Sequence, residues 1–111
     1  MKKYILVTGA SSGIGKQTVV ELAKKSTDYV IFAAIRKRED KALIEHVSKN
    51  IIGVYLDITN KASILKALKF ITSKTKVLDV IVNSAGSATA GPIELLNIND
   101  IKNQFEVNTF G

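Results

Sequence analysis

The sequence predicts a doubly wound α/β domain built on a parallel sheet, and three observations lead there. Four short apolar runs rich in β-branched residues alternate with longer stretches of helical period. The runs are nearly continuous in their apolar character, as strands buried on both faces require. Each pair of consecutive runs is separated by enough chain for a crossover helix, which parallel neighbours need and hairpins do not. Residues 1–111 read as one domain, with no repeat, linker or low-complexity stretch.

The elements follow in order. Tyr4 to Val7 is the first strand, ending at Thr8. A glycine-rich turn leads into a helix from Ile14 to Lys25, with Val19, Val20, Leu22 and Ala23 inward and Lys16, Gln17, Glu21 and Lys24 outward. Tyr29 to Ile35 forms the second strand, and Asp40 to Lys49 a helix with Leu43, Ile44 and Val47 on one face. Ile51 to Leu56 is the third strand. Asn60 then caps a helix bearing Ile64, Leu65, Leu68 and Ile71. Val77 to Val82 is the fourth strand, and a fourth helix begins near Asn99 or Asp100, using Ile101, Phe105 and Val107. The expected sheet therefore stops after its fourth β-α unit.

Composition removes several function classes. The formal charge of +6 comes mostly from lysines scattered over many segments, without the arginine and aromatic interleaving of a nucleic-acid surface. No apolar run approaches the ~20 residues of a membrane span. Met1-Lys2-Lys3 is followed by too short an apolar stretch for a signal peptide. The chain has no cysteine, so it has no disulfide framework and no thiolate metal site, which suits a cytoplasmic protein. His46, in a predicted amphipathic helix, has no ligand array around it and is expected to be an ordinary surface residue.

Function is carried first by Thr8-Gly9-Ala10-Ser11-Ser12-Gly13-Ile14-Gly15, between the first strand and the first helix. Small residues let backbone approach a diphosphate, and glycine accepts the positive φ of a tight turn. The helix N-terminus then presents free N–H groups and partial positive charge to the anion. Gly9, Ser11, Ser12, Gly13, Ile14 and Gly15 are thus candidate cofactor residues. A P-loop would need glycine where Ala10 stands and a hydroxyl where Gln17 stands, so that alternative fails twice. The spacing also differs from G-x-G-x-x-G. As T-G-x-x-x-G-I-G, the segment resembles the dinucleotide signature of the short-chain dehydrogenase/reductase family, whose Rossmann-like pattern is followed from about Lys3 to Gly111.

About twenty positions beyond the loop, at the end of the second strand, an acidic residue would hold the ribose 2′-hydroxyl of NAD. Ile35 and Arg36 stand there, followed by Lys37 and Arg38. With no carboxylate to repel a 2′-phosphate, Arg36 and Lys37 favour NADP(H) over NAD(H), because a guanidinium can fork two hydrogen bonds onto phosphate. Members preferring NADP often carry another basic residue just before the middle glycine; Ser12 occupies that place. Asp57-Ile58 resembles the family's adenine-contacting pair, although an aspartate there can equally be a helix cap. Asn83-Ser84-Ala85-Gly86 resembles Asn-Asn-Ala-Gly beside the adenosine ribose, with Ser84 replacing the second asparagine. Gly91-Pro92-Ile93-Glu94 and Phe105 to Gly111 continue the match.

The resemblance implies hydride transfer between nicotinamide and a small carbonyl or alcohol substrate. It requires a serine, and a tyrosine whose pKa is lowered by a lysine four residues later. Tyr4, Tyr29 and Tyr55 are followed four positions on by Thr8, Ala33 and Thr59. Of the family's catalytic set only Asn108 is matched, and the remaining members are expected beyond Gly111. The 111 residues alone are therefore expected to bind cofactor without turnover. The alternative is a non-catalytic NADP(H)-binding sensor or interaction module. A sheet order of 3-2-1-4 would leave the fourth strand as an apolar edge through which the chain self-associates; the full-length form is expected to be a homo-oligomer.

Overall fold

The computed structural model describes residues 1–84, in which strands and helices alternate along the chain. They are β1 (Lys3–Val7), α1 (Gly13–Lys25), β2 (Tyr29–Ile35), α2 (Arg38–Glu45), β3 (Ile51–Tyr55), α3 (Lys61–Thr72) and β4 (Val80–Val82). All strand pairs are parallel and the order is β3-β2-β1-β4, as expected for the doubly wound class. Val7 stands opposite both Ala33 and Val82, and Ile35 opposite Tyr55, so the carboxyl ends of the strands emerge together.

Each face of the sheet buries its own core. Ile5, Val7, Ile31, Ala33, Ile35 and Ile51 pack against Val19 and Ala23 of α1 and Ile44 of α2. On the opposite face Leu6, Phe32, Ala34 and Val54 meet Ala67 and Ile71 of α3. Successive side chains of β1 and β2 enter different cores, which is why those runs show no polar alternation.

Three element assignments need correction. α2 starts two residues before the expected Asp40, with Glu39 and Asp40 in its first turn where the helix dipole favours them. It ends at Glu45, because the chain must turn through Val47 and Ser48 to enter β3, and His46 lies at its C-cap instead of inside it. Of its expected inward residues only Ile44 is buried; Leu43 is 69% exposed. On α3, Ala67 and Ile71 face the sheet, whereas Ile64, Leu65 and Leu68 are 41%, 56% and 52% exposed. Apolar residues spread over a wide arc of that helix, and the part bearing Ala67 and Ile71 packs in one cluster with Val54. β4 is only three residues long, since Asp79 at its entrance exchanges N–H to Tyr4 carbonyl and Tyr4 N–H to Asp79 carboxylate. The helix expected near Asn99 lies outside the described residues.

The two borders of the described sheet differ. Ile31 N–H donates to Asn50 O and Leu56 N–H to Ile35 O, so Ile51, Gly53 and Tyr55 turn their N–H groups away from β2. Ser48 carbonyl receives Ile51 N–H at 3.3 Å, and Glu45 Oε2 receives Gly53 N–H at 2.8 Å. Just beyond the strand, Ser63 Oγ receives Asp57 N–H at 2.8 Å. Lys41 Nζ holds the same Glu45 oxygen at 2.7 Å. A Cβ on Gly53 would come within 2.8 Å of Lys41 Cγ, so the glycine lets this pair lie close on the strand.

Burial pushes the Glu45 carboxyl upward, but hydrogen bonds from Lys41 and Gly53 and the Lys41 charge outweigh it, leaving the pKa below its ordinary value. A depressed folded pKa means stability present above the unfolded value and lost as pH falls through the folded one. Denaturant unfolding of the parent and Glu45→Gln from neutral to acid pH is expected to show the parent's advantage shrinking in acid. A constant difference would contradict the assignment.

Candidate functional site

The carboxyl ends of β1 and β4 are fastened first. Thr8 N–H donates to Val82 O at 3.0 Å, Ser84 N–H donates to Thr8 Oγ1 at 3.0 Å, and the Ser84 hydroxyl donates to the Thr8 carbonyl. Ser84 thus keeps a hydrogen-bonding role at the position where the family pattern has asparagine. The clasp between Thr8 and Ser84 was not anticipated from the sequence. Its only trace there is a hydroxyl residue just past each of two adjacent strands.

From this anchor the chain turns at Gly9 (φ 63°), and Ala10 N–H donates to Ala34 O at 3.0 Å, draping the loop over the end of β2. Gly13 (φ 59°) redirects it into α1; a Cβ there would meet nothing within 4 Å, so the demand is conformational. At Gly15 the demand is spatial. A Cβ would lie 2.1 Å from the Gly9 carbonyl oxygen and 2.7 Å from Ser84 Oγ.

Among the described residues the first turn of α1 has no internal partner for its charge. Ser12 occupies the N-cap in extended backbone but makes no capping hydrogen bond, and no acidic residue lies in the turn. By contrast, the Asn60 side chain caps α3 by accepting from Ser63 N–H at 3.1 Å. An uncapped helix start beside two glycines with positive φ offers several N–H donors and a partial positive charge to one anion. Ser11, Ser12, Gly13 and Ile14 are exposed, and Ile14 is 81% exposed despite its size. The residues present therefore fit a dinucleotide's diphosphate.

The same end of the sheet carries the other expected residues. Arg36 and Lys37 follow β2, both exposed, and among the described residues the Arg36 guanidinium makes no hydrogen bond or ion pair. Arg38 is engaged differently, with its guanidinium 6.0 Å from the centre of the Tyr55 ring. Asp57 follows β3; its Oδ1 accepts from Thr59 Oγ1 at 2.6 Å and Thr59 N–H at 3.0 Å. Those two bonds, helped by the nearby Arg36 charge and opposed by burial, hold its carboxyl below the usual range. Asp57 thus closes a turn onto Thr59, and the cap of α3 is Asn60. Ile58 is half-buried and Asn83 exposed at the end of β4. Ala85, Gly86 and Asn108 lie outside the described residues.

Thr8, the glycine turn and Ser84 stand at the carboxyl ends of β1 and β4, Arg36 and Lys37 at that of β2 and Asp57 at that of β3, the end of a doubly wound sheet where ligands are generally held. Among the described residues there is no cluster of three or more His, Asp or Glu able to hold a metal. Nor is any described helix long and apolar enough to cross a membrane.

Comparison with known proteins agrees with this arrangement. The family model described as short chain dehydrogenase matches residues 3–111. The chain is 38% identical to a 3-amino-tetrahydro-pyrrolizinone reductase of Xenorhabdus hominickii, over 99% of this chain and 37% of that protein. It is 36% identical to an NADPH-dependent 3-dehydrocapnine reductase of Ornithobacterium rhinotracheale, over 97% of this chain and 38% of that protein. The fold superposes with a TM-score of 0.81 on an NADPH-bound carbonyl reductase from chicken fatty liver, at 27% identity, covering 98% of this chain and 44% of the other. The chain thus spans less than two fifths of the length of these two curated relatives.

Proposed function

Because the chain belongs to the short-chain dehydrogenase family, its pattern running from residue 3 to residue 111, we propose that it forms the cofactor-binding part of an NADP(H)-dependent oxidoreductase. The observation that carries this reading is the uncapped first turn of α1, packed through Gly15 directly onto Gly9. Gly9, Ser11, Ser12, Gly13, Ile14 and Gly15 hold the diphosphate; Asp57, Ile58, Asn83, Ala85 and Gly86 border the adenosine. When bound, the nicotinamide gives or takes a hydride at a small carbonyl or alcohol substrate.

Preference for NADP(H) rests on Arg36 and Lys37, which stand where NAD-binding relatives of this fold place a carboxylate. The NADPH dependence of the dehydrocapnine reductase and the NADPH bound to the carbonyl reductase support the same choice. Asn108 is the one member of the catalytic set within these residues, which contain no Tyr-x-x-x-Lys. This chain alone therefore binds cofactor without turnover. The whole protein acts as a cytoplasmic homo-oligomer.

Titration of the chain with NADPH and NADH tests this reading. NADPH is expected to bind more tightly, and Arg36→Asp to weaken it about ten- to hundredfold while leaving NADH little changed. Unchanged NADPH affinity in the variant would remove the 2′-phosphate assignment, and no saturable binding of either nucleotide would remove the function.

A further inference from the structure

The second charged surface of the molecule lies at the end opposite the nucleotide crevice. In this topology every strand begins there and every described helix ends there. Lys2 and Lys3 lie at the start of β1, and Lys24 and Lys25 close α1. Lys49 lies two residues before β3, and Lys74 and Lys76 lie between α3 and β4. Among the described residues, Asp28 and Asp79 stand against these seven lysines, the latter already holding Tyr4 N–H at 2.8 Å, and Glu45 at the end of α2 is held by Lys41 at 2.7 Å. Glu21, a turn higher on α1, accepts from Gln17 at 3.0 Å. Both arginines of the chain, Arg36 and Arg38, are at the other end.

Part of this charge has a local explanation, since cations at helix C-termini meet the negative end of the dipole. Lys2, Lys49 and Lys74 are not within a helix, and they share one feature. They border a hollow of about 660 Å³ in which Tyr4, Val30 and Ile52 present apolar surface. A lysine beside such a hollow can lay its methylenes on the apolar surface and keep its ammonium at the rim. Apolar surface ringed by ammonium groups complements a layer that is anionic outside and hydrocarbon within.

We propose that this face is a peripheral docking surface for an anionic lipid bilayer, with the hollow between Lys2, Lys49 and Lys74 taking one lipid. Clusters of four to eight basic residues at a membrane surface recognise anionic lipid, and seven lysines at one end of the sheet fall in that range. Apolar surface inside the ring of lysines favours this partner over nucleic acid, whose phosphate backbone brings no hydrocarbon layer to fill the hollow. Docking in this way leaves the nucleotide crevice pointing into water. The inference does not depend on nucleotide binding.

Co-sedimentation of the full chain with phosphatidylcholine vesicles, with and without phosphatidylglycerol, tests it. Binding is expected only to the anionic vesicles and is expected to weaken with salt. Lys49→Glu with Lys74→Glu should lower it at least about tenfold. Lys61→Glu with Lys66→Glu, on the first half of α3 and equal in net charge, should change it less than about threefold. Circular dichroism confirms that each variant is folded, and Lys49→Gln with Lys74→Gln replaces the first pair if it is not. Equal losses from the two pairs, equal binding to both vesicle types, or tighter binding to duplex DNA than to anionic vesicles would each overturn the proposal.

Discussion

Gly15→Ala is expected to abolish measurable nucleotide binding and to lower stability by about 2–3 kcal/mol, the upper part of the range for overpacking. The new methyl would sit 2.1 Å from the Gly9 carbonyl oxygen and 2.7 Å from the Gly9 carbonyl carbon. Ser84 Oγ, also at 2.7 Å, can rotate away, but a main-chain carbonyl cannot. Either α1 lifts from the loop or Gly9 leaves its turn, and each movement spoils the N–H groups that face the anion. Gly13→Ala provides the comparison. Its Cβ meets open space, so only the left-handed φ of 59° is strained, at about 1–2 kcal/mol. NADPH titration with thermal melts of both variants should show the larger loss at residue 15. Parent-like affinity in Gly15→Ala would mean that the close approach is not required.

Asn50→Asp should be the most destabilising single-residue change at the opposite end of the sheet. The Asn50 amide nitrogen donates to Tyr29 O at 2.8 Å and Ser26 O at 3.1 Å, with Ala23 O at 3.4 Å. Its Oδ1 accepts from the Ser48 hydroxyl. One side chain thus ties the end of α1, the start of β2 and the entrance to β3. An aspartate keeps the acceptor but turns a carboxylate toward three carbonyl oxygens, at a cost of about 3 kcal/mol. Its folded pKa would be raised, so stability should return as pH falls and the protonated acid regains a donor. Denaturant unfolding at neutral and mildly acid pH checks both parts. A loss no larger than that of Asn50→Ala, with no recovery in acid, would contradict them.

The sequence shows the geometry of the turn from Gly9 to Gly15 more completely than the packing around it. The residues from Gly9 to Gly15 carry their requirements locally, as backbone angles and missing side chains, and such requirements survive in a linear string. The strand runs are equally plain because each buries both faces. Periodicity places the inward face of α3 too broadly, since Ile64, Leu65, Ala67, Leu68, Phe70 and Ile71 spread over a wide arc of which only Ala67 and Ile71 are buried. Ala67 and Ile71 share one buried cluster with Val54, a pairing that no period reports. Asn50, Glu45 and the link between Thr8 and Ser84 are invisible for another reason. Each is a polar side chain in an unremarkable setting whose partner is fixed only once the sheet is assembled. Asp57 shows the remaining ambiguity, since its type and position suited a cap as well as a crevice residue, and its bonds go to Thr59.

The borders of the sheet are not equivalent. Beside β3, the Ser48 carbonyl and Glu45 already occupy the outward amides of Ile51 and Gly53. Beside β4, Val80 and Ile81 stay 48% and 55% accessible. Among the described residues the β3 border is thus occupied by the chain's own acceptors, and the β4 border is the one that keeps apolar surface uncovered.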